Sequence, residues 1–215
     1  MNYANINDKD IQTDLGEPIW RKIEVDVDQL FPVASMLTKD EKLFLYWIAR
    51  DIYKGDGEII DAGAFVGSSS CALAQGLRDN LVVVNKKNRI SSYDLFEYNT
   101  HYRGFMEGVT YPAHIDIDAK KNGDTMEDVY RYHINAYNKN IVVIPGDICE
   151  KTWGNRPIEI FFIDVAKSWK INTHLLKNYF SALMPGISWV IQQDYFHHHT
   201  YWVPITMRVM KDYFK

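Results

Sequence analysis

Apolar positions fall into helical spacing in some stretches and into short unbroken runs in others, and the two alternate along the chain. Thr38-Lys39-Asp40-Glu41 has the S/T-x-x-E form of a capping box, and Phe44, Trp47, Ile48 and Ile52 follow at helical spacing. The pattern predicts a helix over 39–54, stopped by Gly55 and Gly57. Glu58 to Asp61 reads as a short strand, Ala62 to Gly67 as a small-residue turn, and Ser68 to Gly76 as a helix. Two apolar runs follow, 81–84 and 90–96, and the second is the predicted strand. Met126, Val129, Tyr130, His133, Ile134 and Tyr137 recur at the spacing of an amphipathic helix, with His133 on its apolar stripe as a packed core histidine. Further strands are expected at 141–144, 158–163 and 187–192, a helix through Leu175, Leu176, Tyr179, Phe180 and Leu183, and a last helix over 203–215.

The strand runs are continuously apolar rather than alternating, as expected for parallel strands buried on both faces. Strand and helix in alternation predict an α/β fold, a doubly wound, mostly parallel sheet with helices on both sides. Ligands of such sheets bind outside the carboxyl ends of the strands. Each predicted strand ends near an acidic side chain there: Asp61, Asp94, Asp147, Asp164 and Asp194. Any one of these is ordinarily a turn or cap residue. Five together form a rim that repels phosphates and attracts cationic or hydroxylated ligands.

Two segments lie outside the alternation. Residues 1–37 are polar and irregular, with Pro18 and Pro32, and read as an N-terminal arm; 38–215 is the domain proper. Residues 97–124 are aromatic, polar and aperiodic, too long for an ordinary connection, and are expected to form a lid, with Trp20 of the arm as a second covering element.

Composition narrows the ligand. The 215 residues are 47% hydrophobic with a net charge of −4 and no basic run, so a nucleic-acid partner is not expected. The start of the chain has no leader-like segment and no stretch reaches the length of a membrane span, so a cytoplasmic protein without a membrane partner is expected. Cys71 and Cys149 stand apart, as buried thiols. The turn reads Asp61-x-Gly63-x-x-x-Gly67, with Phe65 where a dinucleotide fingerprint has its second glycine. That weakens a nicotinamide-dependent oxidoreductase, which stays open as an alternative beside a non-catalytic cofactor-binding or regulatory domain.

These segments together resemble the class I methyltransferases that use S-adenosylmethionine. The resemblance runs through Glu58 to Ser69, Tyr93 to Phe96, Ile144 to Asp147, Phe162 to Asp164 and Leu183 to Tyr195. It implies a Rossmann-like methyltransferase fold. It also implies that Asp61, Gly63, Ala64, Phe65, Gly67 and Ser68 line the methionine part of the cofactor, with Asp94 on the ribose, Asp147 at the adenine amino group and Asp164 at the methyl-transfer centre. Within the class, the chain is similar to the macrocin O-methyltransferases, which implies methylation of a hydroxyl on a small acceptor such as a sugar or glycosylated metabolite. Those enzymes hold a divalent metal, and the matching ligands here are Asp164 and Asp194, so Mg²⁺ is an expected second cofactor. Gln193 stands at one acidic position and Ala166 at the place of the base. Lys167 and the His197–His199 run, His198 among them, are the candidates to replace that base. The class usually completes its sheet with a C-terminal hairpin for which nothing remains after Lys215, so the expectation is either a fragment of a longer protein or a sheet edge covered by the N-terminal arm or by a partner, as in a homodimer.

Overall fold

The structure, a computed structural model, describes residues 17–214. Five strands, β1 (Glu58–Ala62), β2 (Ile90–Asp94), β3 (Ile141–Pro145), β4 (Ile158–Ile163) and β5 (Trp189–Gln192), form one sheet in the order β3-β2-β1-β4-β5. All four pairings are parallel. The order reverses between β1 and β4, where the crossovers on either side diverge and leave a crevice.

Both faces of the sheet are buried, which explains the unbroken apolar runs. Ile59, Ile90, Ile160 and Phe162 face one core, built with Leu45, Leu73 and Val129 of the helices Lys39–Trp47, Ser68–Asp79 and Glu127–His133 and with Ile48 just after the first of them. Ile60, Phe161 and Ile163 face the other, with Leu175 and Tyr179 of and just after the helix Trp169–Asn178. Neighbouring residues of one strand thus serve opposite layers.

The capping box at Thr38 forms in full: the Glu41 N–H donates to Thr38 Oγ1 at 3.2 Å, and Glu41 Oε2 accepts the Thr38 N–H at 2.7 Å. The helix runs from Lys39 and ends in a π-helical turn, Ile48–Ile52. Asn80 closes the neighbouring helix, its amide donating to the carbonyls of Ala49 and Tyr53 and its Oδ1 accepting from the N–H groups of Val82 and Val83. The 81–84 run is therefore a tight loop that leaves Leu81 and Val84 almost fully exposed. Cys71 is buried, whereas Cys149 is only half-buried, contrary to the sequence expectation.

The described part of the arm, from residue 17, is tied to the domain. Trp20 packs edge-on against Phe44 and tilted against Trp47, at 4.8 and 5.6 Å, and Arg21 makes a two-pronged ion pair with Asp40. Trp20 therefore anchors this part of the arm to the Lys39–Trp47 helix. Residues 97–124 are pinned at their base by an antiparallel bridge between Glu97 and Thr125 and by hydrogen bonds joining Tyr98 to Gly123 and Asp124. Tyr98, Met106, Val109 and Ile117 are buried beneath it, so the segment is a packed insertion. The part of the arm expectation that falls on residues 1–16 lies outside the described residues. Among the described residues no helix is long and apolar enough to cross a membrane.

Candidate functional site

The site grows from the end of β1. The chain leaves the strand through Gly63, at φ +103°, so close to β4 that a Cβ there would lie 2.8 Å from the carbonyl carbon and oxygen of Asp164. Gly67, at φ +104°, precedes the Ser68–Asp79 helix, and a Cβ on it would meet Tyr130 and Ile134 at 3.3 Å. Both glycines are thus required by the protein's own packing, and Gly63 sets the turn directly against the end of β4.

Asp94 shapes the opposite wall. Phe65 and Phe96 are both left-handed, at φ 45° and 50°, a conformation that costs a bulky residue about 1–2 kcal/mol. The Phe65 N–H donates to Asp94 Oδ2 and the Phe96 N–H to Asp94 Oδ1, each at 2.8 Å. One carboxylate therefore holds two strained residues, and backbone strain of this kind concentrates at functional sites. Burial raises the Asp94 carboxyl above its ordinary value, against the lowering pull of these backbone amides. The Phe65 ring packs on Tyr102 and Phe105 at 5.4 and 5.5 Å, which brings the 97–124 insertion over the turn.

Asp61 sits beneath the turn rather than on the rim. It is fully buried, its Oδ2 accepts the hydroxyls of Ser69 and Ser70, and Ser70 in turn bonds to Ser92 and Tyr130. Burial pushes its carboxyl up to about 7, with Asp164 and Asp94 adding repulsion and the two serines opposing the rise. Its Oδ1 and the nearby Ser68 Oγ are buried without a hydrogen-bond partner. Asp147 is a cap: its Oδ1 accepts the Cys149 N–H at 2.8 Å, which with Lys170, 3.7 Å away, keeps its carboxyl below the usual range. Its other oxygen is the one that Lys170 approaches; the sequence expectation puts the adenine amino group at this residue.

A pocket lies beside the turn. Its lining includes Gly63 to Val66, Ser68 and Asp164 on one side and Ala34 to Leu37 on the other. The arm thus crosses the turn as a strap, a contact with no signature in the sequence beyond the failure of 31–37 to show periodicity.

Beyond Asp164 lies an ionic cluster. Lys167 Nζ donates to Asp164 Oδ1 at 2.7 Å and to Asp194 Oδ2, so the two carboxylates expected as metal ligands do converge, with a lysine between them. Burial raises Asp164 to about 6; Lys167 opposes the rise, and Asp194 and Glu41 add to it. Burial alone would lower the Lys167 ammonium, but the two carboxylates outweigh it and hold the group above its ordinary value. So held, its ammonium donates to both carboxylates. His197, His198 and His199 are exposed on the turn after Asp194, their rings against one another at 3.8–5.6 Å. Among the described residues no group of three or more His, Cys, Asp or Glu side chains is arranged to hold a metal ion.

Several solved structures share this architecture. The structure of CalS11, a calicheamicin methyltransferase, superposes with a TM-score of 0.53 at 16% identity over 89% of this chain and 79% of that one. The apo structure of CalS11, described as a TDP-rhamnose 3′-O-methyltransferase, gives 0.52 at 16% identity, over 89% and 80%. The O-methyltransferase NovP gives 0.60 at 14% identity, over 83% and 75%. No protein-family model and no curated protein matches the chain. At such low identities the likeness is one of fold, and this chain has the Rossmann-like fold of the methyltransferases.

Proposed function

We propose that the protein is an S-adenosylmethionine-dependent O-methyltransferase acting on a hydroxyl of a small acceptor, a sugar or glycosylated metabolite. The observation that carries this reading is the pocket at the β1/β4 crevice, where the Gly63–Val66 turn, Ser68 and Asp164 meet. Its donor set of carboxylate, hydroxyl and backbone suits a sulfonium and an ammonium, and offers a pyrophosphate no arginine and no second glycine. Bound there, S-adenosylmethionine supplies a methyl group already activated on a sulfonium, so the protein's contribution is chiefly alignment.

In this reading Gly63, Ala64, Phe65, Gly67 and Ser68 surround the methionine end while the buried Asp61 supports the turn from beneath, Asp94 meets the ribose hydroxyls through its free lone pairs, and Asp147 faces the adenine. Phe65, under Tyr102 and Phe105, keeps water from the transfer centre. Asp164 lies where the cofactor pocket meets the ionic cluster, and it is the group placed to take the hydroxyl proton; His198 on the adjoining turn is the second candidate. Sugar acceptors are favoured because the named activity of one fold likeness is methylation of a nucleotide-linked sugar. The free thiols Cys71 and Cys149 suit the reducing cytoplasm.

The test is to supply ¹³C-methyl S-adenosylmethionine with pooled sugar nucleotides and glycosides and read the product by NMR. A new methoxy carbon is expected, lost in Asp164→Ala. Label appearing only on nitrogen or carbon overturns the reading.

A further inference from the structure

The divalent ion that the sequence resemblance implies does not fit the residues present. Mg²⁺ demands a near-ideal octahedral shell of hard oxygens. Here the carboxylates of Asp164 and Asp194 are already joined by the Lys167 ammonium, and Gln193 offers a neutral amide where a third carboxylate would complete the set. A metal ion entering this place has to expel Lys167 or stand beside a like charge.

We propose that the Lys167 ammonium, held between Asp164 and Asp194, is the built-in cation of the acceptor end of the site, in place of a divalent metal, and that it holds the oxygen of the acceptor hydroxyl. An ammonium has three N–H donors. Two are taken by Asp164 and Asp194, which leaves one for an incoming oxygen. Two further features support the assignment. Lys167 lies three residues after Asp164, before the Trp169–Asn178 helix begins, so the backbone returns its side chain to the end of β4. Its side chain is also half exposed, at 53%, while those of Asp164 and Asp194 are at 25% and 15%, so the ammonium closes the open side of a carboxylate pair and remains reachable from solvent. The exclusion of the metal stands on this geometry alone; the hold on the acceptor hydroxyl rests on the proposed methyl transfer.

The test is Mn²⁺ uptake by the full chain, followed by electron paramagnetic resonance, in the wild type, Lys167→Ala and Lys167→Arg. Removing the like charge frees both carboxylates, so Lys167→Ala is expected to bind Mn²⁺ at least about tenfold more tightly than the wild type. Lys167→Arg keeps the charge and is expected to behave as the wild type. Thermal melts establish that each variant is folded. Equal Mn²⁺ affinity in the wild type and Lys167→Ala overturns the proposal, as does saturable wild-type binding that Asp164→Asn abolishes. S-adenosylhomocysteine titration of the wild type is the separate check on the methyl-transfer reading, and its failure leaves the Mn²⁺ comparison intact.

Discussion

Replacing Asp94 with alanine isolates the carboxylate that holds the two left-handed phenylalanines. The substitution removes two charge-assisted hydrogen bonds, both at 2.8 Å, to the amides of Phe65 and Phe96. Hydrogen bonds to charged groups contribute about 1.5–3 kcal/mol each, less where water can replace the lost partner. Phe96 is 2% exposed, so its N–H finds no water, whereas Phe65 is half-buried and recovers part of its loss. With the left-handed conformations no longer held, the expected cost is about 3 kcal/mol. At about 2–4 °C per kcal/mol for a chain of this size, the melting temperature should fall by about 6–12 °C. The assay is thermal unfolding followed by circular dichroism, with Asp147→Ala as the control. Asp147 caps a single short turn through one N–H and should cost about 1 kcal/mol. S-adenosylhomocysteine affinity should also fall in Asp94→Ala by about tenfold or more, the equivalent of 1.4 kcal/mol. A melting temperature for Asp94→Ala within about 2 °C of the wild type would refute the reasoning.

Three other outcomes follow from the same geometry. Asp61 is raised to about 7 when folded, above its unfolded value, so its proton is retained in the native state and lost in the unfolded one. The stability this contributes is complete below about pH 4 and disappears as pH rises through 7, at no more than about 1.4 kcal/mol per pH unit. Urea unfolding at pH 5, 6.5 and 8 should therefore show a flatter dependence in Asp61→Asn than in the wild type, and parallel curves would contradict the assignment. Gly63→Ala places a Cβ against the Asp164 carbonyl and should cost about 2 kcal/mol or more, read from thermal melts; an unchanged melting temperature would mean that the turn shifts freely. Phe65→Gly relieves a left-handed residue but removes the ring beneath Tyr102 and Phe105, so limited proteolysis should cut the 97–124 insertion faster, and an unchanged digestion rate would disconnect the insertion from the turn.

The elements that the sequence made legible are those with a local cause. The capping box at Thr38, the continuous apolar strands and the Met126-to-Tyr137 stripe each announce themselves within a few residues, and their structures differ from expectation by a few residues at the ends. The strand at 90–96 stops at Asp94 because its side chain captures the Phe96 N–H that would have continued the ladder. The run at 81–84 looked as apolar as a strand, yet Asn80, a single side chain, folds it into a loop. What the sequence concealed depends on long-range contact. Asp61 reads as a rim residue until Ser69, Ser70 and Tyr130 are seen to enclose it. The strap at 34–37 has no periodicity to reveal what it covers. Lys167 was found by its nearness to Asp164 in the chain, but its second partner, Asp194, comes from a different strand end.

The proposed function requires the crevice between β1 and β4 to accept an S-adenosyl nucleoside and not a dinucleotide. Calorimetric titration of the chain with S-adenosylhomocysteine and, in parallel, with NAD tests it most directly. One equivalent of S-adenosylhomocysteine binding saturably, weakened in Asp94→Ala, with no heat from NAD, is the expected result. Saturable binding of NAD with no response to S-adenosylhomocysteine would contradict the account.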